Sequence, residues 1–284
     1  PVATMSPWSP PSTIEAAGGW PNRDTAYRFA DYAAILGERF GDRVDRWATL
    51  NEPWCSAFLG YCSGYFAPGR TEPGASLEAA YNLILGHGLA VQRLREVGAR
   101  NLGIVLNLTP VIAETDQMQA AADHVDRLQN GIFLDLLAGR GISPALRESC
   151  ASVTDWSFAR DEDNAILATP IDWLGENYYS VFRIAEPSAD GGGGVGQDTA
   201  AIPACPLVEY LHVGSVPEGL EMALRLATDA LPGVPIWICE NGLATDDVID
   251  ETGVHDPLRS DYIGEHIRAL LRAGEKGFDV RGKG

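Results

Sequence analysis

Lysine is nearly absent from this sequence, and the shortage limits the partners that the protein could bind. Only Lys276 and Lys283 occur in 284 residues, and 39 acidic residues against 21 Lys and Arg leave a net charge of −18. Nucleic acids and anionic membrane surfaces both favour clustered positive charge, so neither is expected as a partner. No apolar run of 18 residues occurs, so no membrane span is predicted. A neutral partner is expected instead.

Cysteine and histidine are few and scattered, which excludes the common metal-binding motifs. No C-x-x-C or H-x-x-x-H pattern occurs, so neither a zinc ribbon nor another metal site is predicted. Buried thiols in a reducing, cytoplasmic compartment are the favoured interpretation of the cysteines, with a Cys55–Cys62 bridge as the weaker alternative. The five cysteines are Cys55, Cys62, Cys150, Cys205 and Cys239.

The chain alternates short apolar runs with amphipathic stretches, and this alternation indicates an α/β fold with a parallel sheet. We predict one domain over residues 1–284, with a glycine-rich flexible loop at 188–196. The C-terminal segment from Asp279 resembles a strand that is begun and not completed. The predicted strands are the N-terminal PVATM, 46–51, 102–108, 171–178 and 235–240. The predicted helices are 24–40, 76–97, 217 to about 231, and about 257–272.

Polar residues follow the predicted strands, at the edge where parallel α/β folds collect their chemistry. Glu52 ends one strand and Glu240 ends another. Cleavage of a glycosidic bond requires one carboxylic acid to protonate the leaving oxygen and one carboxylate to stabilise the sugar cation, about 5–5.5 Å apart in retaining enzymes. A single glutamate in so acidic a chain is more often a solvated surface group. Two glutamates within distinctive flanking motifs point to a catalytic pair.

Those motifs resemble glycoside hydrolase family 1, the β-glucosidase family, over nearly the whole chain. Thr49-Leu50-Asn51-Glu52-Pro53-Trp54 resembles the family's acid/base signature, and Ile238-Cys239-Glu240-Asn241-Gly242 resembles its nucleophile signature. Further matches occur in the family's order, namely Gly18-Gly19-Trp20, Ala67-Pro68-Gly69, Asn107-Leu108-Thr109-Pro110, Asp172-Trp173-Leu174-Gly175 and Asn177-Tyr178-Tyr179.

The resemblance implies a (β/α)8 TIM barrel, incomplete here, with about strands 3 to 7 present in a partial glycosidase domain. It also implies a retaining β-glycosidase that hydrolyses small β-O-glycosides or oligosaccharides and requires no cofactor. By position, Glu52 would be the acid/base and Glu240 the nucleophile. The resemblance assigns the sugar 2-hydroxyl to Asn51, the orientation of Glu240 to Tyr179, the nearby polar network to Asn177 and the aglycone side to Trp54.

Two departures from the family pattern bear on activity. Pro7 stands where the family has a sugar-binding His, and the chain resembles the family truncated at both ends. Several sugar-gripping residues of the family would then be missing, so these 284 residues alone are expected to be weakly active or inactive. The alternative interpretation is a non-catalytic, degenerate barrel or a carbohydrate-binding relative.

Overall fold

The computed structural model describes residues 2–186, 202–204, 209–211, 214–246, 249–251 and 253–283. Its strands are β1 Val2–Ser6, β2 Arg46–Asn51, β3 Leu102–Leu106, β4 Val111–Ala113, β5 Trp173–Asn177, β6 Phe182–Ala185, β7 Glu209–Leu211, β8 Ile236–Glu240, β9 Ile249–Asp250, β10 Gly253–Val254 and β11 Val280–Lys283. Its α-helices are α1 Ser12–Ala16, α2 Asp24–Phe40, α3 Pro73–Glu96, α4 Gln119–Asp126, α5 Ile132–Leu137, α6 Pro144–Ser149, α7 Asn164–Leu167, α8 Pro217–Ala230 and α9 Pro257–Glu275. Two π-helical turns, Cys55–Leu59 and Arg127–Gly131, and two 3-10 turns, Asp116–Met118 and Asp161–Asp163, complete the described elements.

Six strands form one parallel sheet in the order β1-β2-β3-β5-β8-β11. The α/β prediction is therefore confirmed, but the expectation of five strands was wrong because the C-terminal segment is a sixth strand. Val280 of β11 lies opposite Ile236 of β8. The short run Val-Arg-Gly-Lys carries a single β-branched residue, which is why its composition did not identify a strand. Gly282 is required there, because a Cβ would lie 2.6 Å from the ring of Trp237.

Helices cover the outer face of this sheet, and their sequences explain where they lie. Helix α2 buries Ala26, Phe29 and Ala33 at helical spacing along one face. Gly37 lets α2 approach the end of α3 closely, because a Cβ at that position would lie 2.8 Å from Val97. Helix α3 is buried along most of its length. It begins at Pro73, and the missing N–H of proline costs no hydrogen bond there because N–H groups in the first turn of a helix have no acceptor within the helix.

The inner face of the sheet carries a smaller apolar cluster of Ala48, Val105 and Trp173. Arg46 lies over the ring of Trp237, with its guanidinium carbon 3.8 Å from the ring centroid. The register between β2 and β3 shifts between Ala48 and Asn51. A shift of this kind inserts an extra residue and re-aims the side chain that follows it. The irregularity places Asn51 on the inner face at the carboxyl end of β2.

Sequence periodicity missed a second sheet, in which β4 is parallel to β6 and β6 is antiparallel to β7. These strands are only three or four residues long, too short for an alternating pattern to emerge. The predicted glycine-rich loop at 188–196 lies outside the described residues. Within the described ranges, no helix has the length and apolar character needed to cross a membrane.

Candidate active site

Glu52 has an unusual backbone conformation that begins the site. Its φ angle is 48°, in the left-handed region that side chains other than glycine rarely adopt. The Glu52 carbonyl accepts a hydrogen bond from the Cys55 amide at 2.9 Å, so the chain turns at once from β2 into the π-helical turn. Such outliers persist where the surrounding structure holds them. The turn leaves the Glu52 side chain at the strand end, with a residue exposure of 6%.

Asn177 connects the acid motif to the neighbouring strand. Its Nδ2 donates to Glu52 Oε1 at 2.7 Å and to Asn51 Oδ1 at 3.1 Å. Asn177 also lies opposite Glu240 in the β5–β8 register, at a point where that register shifts. The buried side chain of Asn177 therefore binds both the Glu52 carboxyl and the Asn51 amide, and the backbone of Asn177 lies beside Glu240.

Glu240 ends β8 and accepts a hydrogen bond from Tyr179. The Tyr179 hydroxyl donates to Glu240 Oε2 at 2.5 Å. Burial, followed by the hydrogen bond to Glu240, raises the pKa of Tyr179, so the phenol keeps its proton and remains a donor. The contact orients the carboxyl group of Glu240.

Burial is the main cause of a raised pKa at Glu52. Hydrogen bonds from Asn177, Cys55 and the Trp8 side chain oppose the shift, whereas the charge of Glu240 adds to it. Two carboxyl groups in unlike surroundings can divide the roles of acid and nucleophile between them. The raised pKa favours the protonated form of Glu52, and the hydrogen bond from Tyr179 orients the carboxyl group of Glu240.

Aromatic rings extend from Glu52 toward solvent. Trp8 stacks on Phe66 with centroids 4.8 Å apart, and Phe66 stacks on Tyr65 at 5.2 Å. Sequence analysis did not identify Phe66 and Tyr65, which follow the acid motif by more than ten residues. Pro7 precedes Trp8, so the chain offers no side-chain hydrogen bond at the position where the family resemblance implies His.

Trp54, the last residue of the acid motif, is buried in this structure. It is 4% exposed and packs edge-on against Phe58, with centroids 5.8 Å apart. The described contacts of Trp54 place it in the helix-side core. Its proposed role on the aglycone side stays a prediction.

Tyr262 of α9 supports the site from behind, and sequence analysis did not identify it. Its hydroxyl donates to the Tyr179 carbonyl at 2.6 Å and accepts from Asn241 Nδ2 at 3.1 Å. Asn241 also donates to the Tyr178 carbonyl at 2.8 Å. The Tyr262 ring stacks on His266 at 3.8 Å. Helix α9 therefore fixes the backbone on both sides of the Tyr179–Glu240 contact.

An open cavity of about 460 Å³ lies along the inner face of the sheet, and Asn51 and Glu240 line it together with Trp173, Trp237 and Cys239. Among the residues that the structure describes, no group of three His, Cys, Asp or Glu side chains is arranged to hold a metal ion.

A parallel α/β sheet with a buried glutamate of raised pKa and a tyrosine-bound glutamate at its carboxyl edge defines a two-carboxylate site of the glycosidase type. The chain belongs to glycosyl hydrolase family 1, whose family model matches residues 1–283.

Named relatives agree with this assignment. The chain is 41% identical to thermostable β-glucosidase B of Thermobispora bispora, over 99% of this chain and 58% of the relative. The crystal structure of a psychrophilic β-glucosidase from Micrococcus antarcticus matches with a TM-score of 0.87 and 35% identity, over 99% of this chain and 64% of that one. A Thermotoga maritima β-glucosidase in complex with deoxynojirimycin matches with a TM-score of 0.85 and 29% identity, over 100% of this chain and 63% of that one. The chain thus spans about three fifths of the length of these relatives.

Proposed function

We propose that the protein is a retaining β-glycosidase that hydrolyses β-O-glycosides, with Glu52 as the acid/base and Glu240 as the nucleophile. The observation that carries the proposal is the pairing at the strand ends. Asn177 holds the buried Glu52 carboxyl, and Tyr179 holds the Glu240 carboxylate. The names of the relatives support a β-glucoside as substrate.

The proposed reaction has two displacements. In the first, Glu240 attacks the anomeric carbon while Glu52 gives its proton to the leaving oxygen, so the glycosidic bond breaks and a glycosyl–enzyme ester forms. In the second, Glu52 removes a proton from water, and the water oxygen displaces Glu240 from the sugar. Both glutamates return to their starting protonation states, and no redox change occurs.

Asn51 is proposed to bind the sugar 2-hydroxyl. Asn177 donates to Asn51 Oδ1, which assigns the oxygen of that amide to the protein side. The Nδ2 group of Asn51 is then the end that can donate to a ligand. A hydrogen bond at this hydroxyl strengthens in the transition state and contributes to the rate of the first displacement.

We further propose that the six-stranded sheet is part of a closed eight-stranded barrel, as the family membership suggests. The chain spans about three fifths of its relatives, and sugar-gripping groups of the family would come from the rest. The 284-residue polypeptide by itself is then expected to be weakly active or inactive, because transition-state binding depends on those contacts.

A covalent trapping experiment tests the function. The 284-residue chain and a form extended to the family length are incubated with an activated 2-deoxy-2-fluoro-β-glucoside, and intact mass and peptide maps are recorded. We expect one glycosyl adduct on the peptide that contains Glu240 in the extended form. The Glu240→Gln variant of the same form is the control and should remain unmodified.

The outcomes separate the two candidate functions. Absence of an adduct in a folded, extended protein that still binds the glycoside would favour the non-catalytic, carbohydrate-binding alternative. An adduct on another residue would contradict the assignment of Glu240 as the nucleophile.

A further inference from the structure

Cys55 contacts the acid/base carboxyl directly. Its thiol donates to Glu52 Oε2 at 3.3 Å, on the opposite oxygen from the one that Asn177 binds. Cys55 is the first residue of the π-helical turn, and its backbone amide also donates to the Glu52 carbonyl. The left-handed backbone of Glu52 turns the chain back, so that Cys55 faces the side-chain carboxyl of Glu52.

A second contact orients the sulfur. Asn107, which follows β3, donates its Nδ2 group to Cys55 Sγ at 3.9 Å. Because this amide occupies an acceptor position on the sulfur, the S–H of Cys55 is left to point toward Glu52. Cys55 is buried, so water does not compete strongly for the thiol.

The three donors around Glu52 differ in one chemical respect. The amide of Asn177 and the indole N–H of Trp8 can only donate toward the carboxyl, whereas a thiol is both a weak donor and a weak acceptor and can rotate. When Glu52 is ionised, the thiol donates to Oε2. When Glu52 carries the proton on Oε2, the S–H can turn away and leave that oxygen available to a leaving group.

We propose that Cys55 is a positioning residue for the acid/base, whose thiol holds Oε2 of the ionised Glu52 and releases it when the carboxyl is protonated. The inference rests on the acid/base role proposed above for Glu52. In this role the Cys55 sulfur forms and breaks no covalent bond.

Other titratable groups also act on Glu52, and they set the background for the test. The charge of Glu240 on β8 raises the pKa of Glu52, and the charge of Glu52 adds to the raised pKa of Glu176 on β5. Tyr179 keeps its proton and adds no charge. Burial is the largest cause of the raised pKa at Glu52, and the Cys55 hydrogen bond opposes it.

The test measures the ionisation of Glu52 itself. The ¹³C carboxyl resonance of Glu52 is assigned by its loss in Glu52→Gln and is titrated in the parent, Cys55→Ala and Cys55→Ser. Loss of the thiol in Cys55→Ala is expected to raise the Glu52 pKa by about half a unit, the effect of one weak hydrogen bond. The hydroxyl of Cys55→Ser is expected to restore or lower it, because it is a stronger donor than a thiol.

The matched control is Cys150→Ala, which removes another buried thiol that has no described contact with Glu52. Its Glu52 titration should coincide with that of the parent, and thermal unfolding of every variant establishes folding. Where activity is present, the basic limb of the kcat/KM profile should shift with the Glu52 pKa.

Two results would overturn the proposal. One is an unchanged Glu52 titration in folded Cys55→Ala and Cys55→Ser, and the other is an equal shift in Cys150→Ala. The titration of Glu52 requires no catalytic turnover. Its result is therefore independent of whether Glu240 is trapped as a covalent adduct. A shift without a glycosyl adduct would support the contact and reject the catalytic role.

Discussion

Glu176 is a buried carboxyl next to Asn177 in sequence. It is fully buried on β5, and within the described part of the chain neither carboxyl oxygen has a partner in hydrogen-bonding geometry. Burial raises its pKa well above the usual 4.5, and the backbone amide of Leu108 opposes this only in part. The folded protein therefore holds Glu176 in its neutral form.

Stability should depend on pH through Glu176. Its folded pKa exceeds its unfolded pKa, so the native state binds more protons between the two values. The contribution of Glu176 to stability is then greatest below about pH 4.5 and is lost as pH rises toward its folded pKa, by at most about 1.4 kcal/mol per unit. Glu176→Gln, which stays neutral, should show a flatter profile in urea unfolding between about pH 4 and 8.

The control for Glu176→Gln is Glu38→Gln, which makes the same change at an exposed position on α2. Its stability profile should run parallel to that of the parent. Parallel profiles for all three proteins would contradict a neutral Glu176.

Tyr179 bears on the rate of the first displacement. Tyr179→Phe removes the hydrogen bond to Glu240 and keeps the ring. A hydrogen bond to a charged group contributes about 1.5–3 kcal/mol, so the rate of glycosylation by the fluoro-sugar should fall about 10- to 100-fold. The rate is measured by intact mass over time. Tyr32→Phe, on the exposed part of α2, should leave it unchanged; a similar loss there would argue against a local effect.

At the scale of elements, the regular ones were predictable from sequence and the short ones were not. The predictions for β2 and α2 are confirmed to the residue, because Arg46–Asn51 and Asp24–Phe40 are long enough to show their periods and are clearly bounded. The sheet formed by β4, β6 and β7 could not be predicted, since three or four residues show no period.

The site divides in the same way. Sequence motifs identified Glu52, Asn177 and Glu240, each of which lies at the end of a strand. Cys55 and Tyr262 reach the site through a π-helical turn and a helix distant in sequence, and no local pattern encodes such contacts.

Helix α9 should influence the chemistry through one hydroxyl. Tyr262→Phe keeps the stack on His266 but removes the bonds to the Tyr179 carbonyl and to Asn241. We expect a loss of stability of about 1 kcal/mol and a decrease in kcat of about tenfold with little change in KM, because Tyr179 is displaced from Glu240. Steady-state kinetics and thermal unfolding of the form extended to the family length measure the two effects.

The comparison variant is Ile263→Ala, the neighbouring and more exposed position on α9. It should reduce kcat far less than Tyr262→Phe does. A change in KM alone in Tyr262→Phe, with kcat unchanged, would contradict a positioning role for Tyr262.

At the scale of the whole molecule, the 284-residue polypeptide has a parallel sheet with two outer strands. β1 and β11 each pair on one side only in the described sheet. Unpaired strand edges template association between chains, and the net charge of −18 opposes it through repulsion. Self-association of this polypeptide should therefore increase with salt, which screens the charge.

A charge placed on the outer strand should suppress this association. Val2 lies on β1 and is 57% exposed, so Val2→Lys adds a gatekeeping charge at the edge. Sedimentation velocity at high salt should show less dimer than for the parent. Val254→Lys, on the separate β10 hairpin, makes the same change at an exposed valine and should have no such effect.

The left-handed backbone at Glu52 has a consequence for how this sequence can vary. At a φ of 48°, glycine would relieve about 1 kcal/mol of backbone strain, whereas Glu52→Gly would remove the acid and leave the Asn177 amide without its carboxyl acceptor. The backbone and the chemistry thus place opposite demands on the residue at position 52, and the contacts of the carboxyl group offset the strain of the turn that carries it.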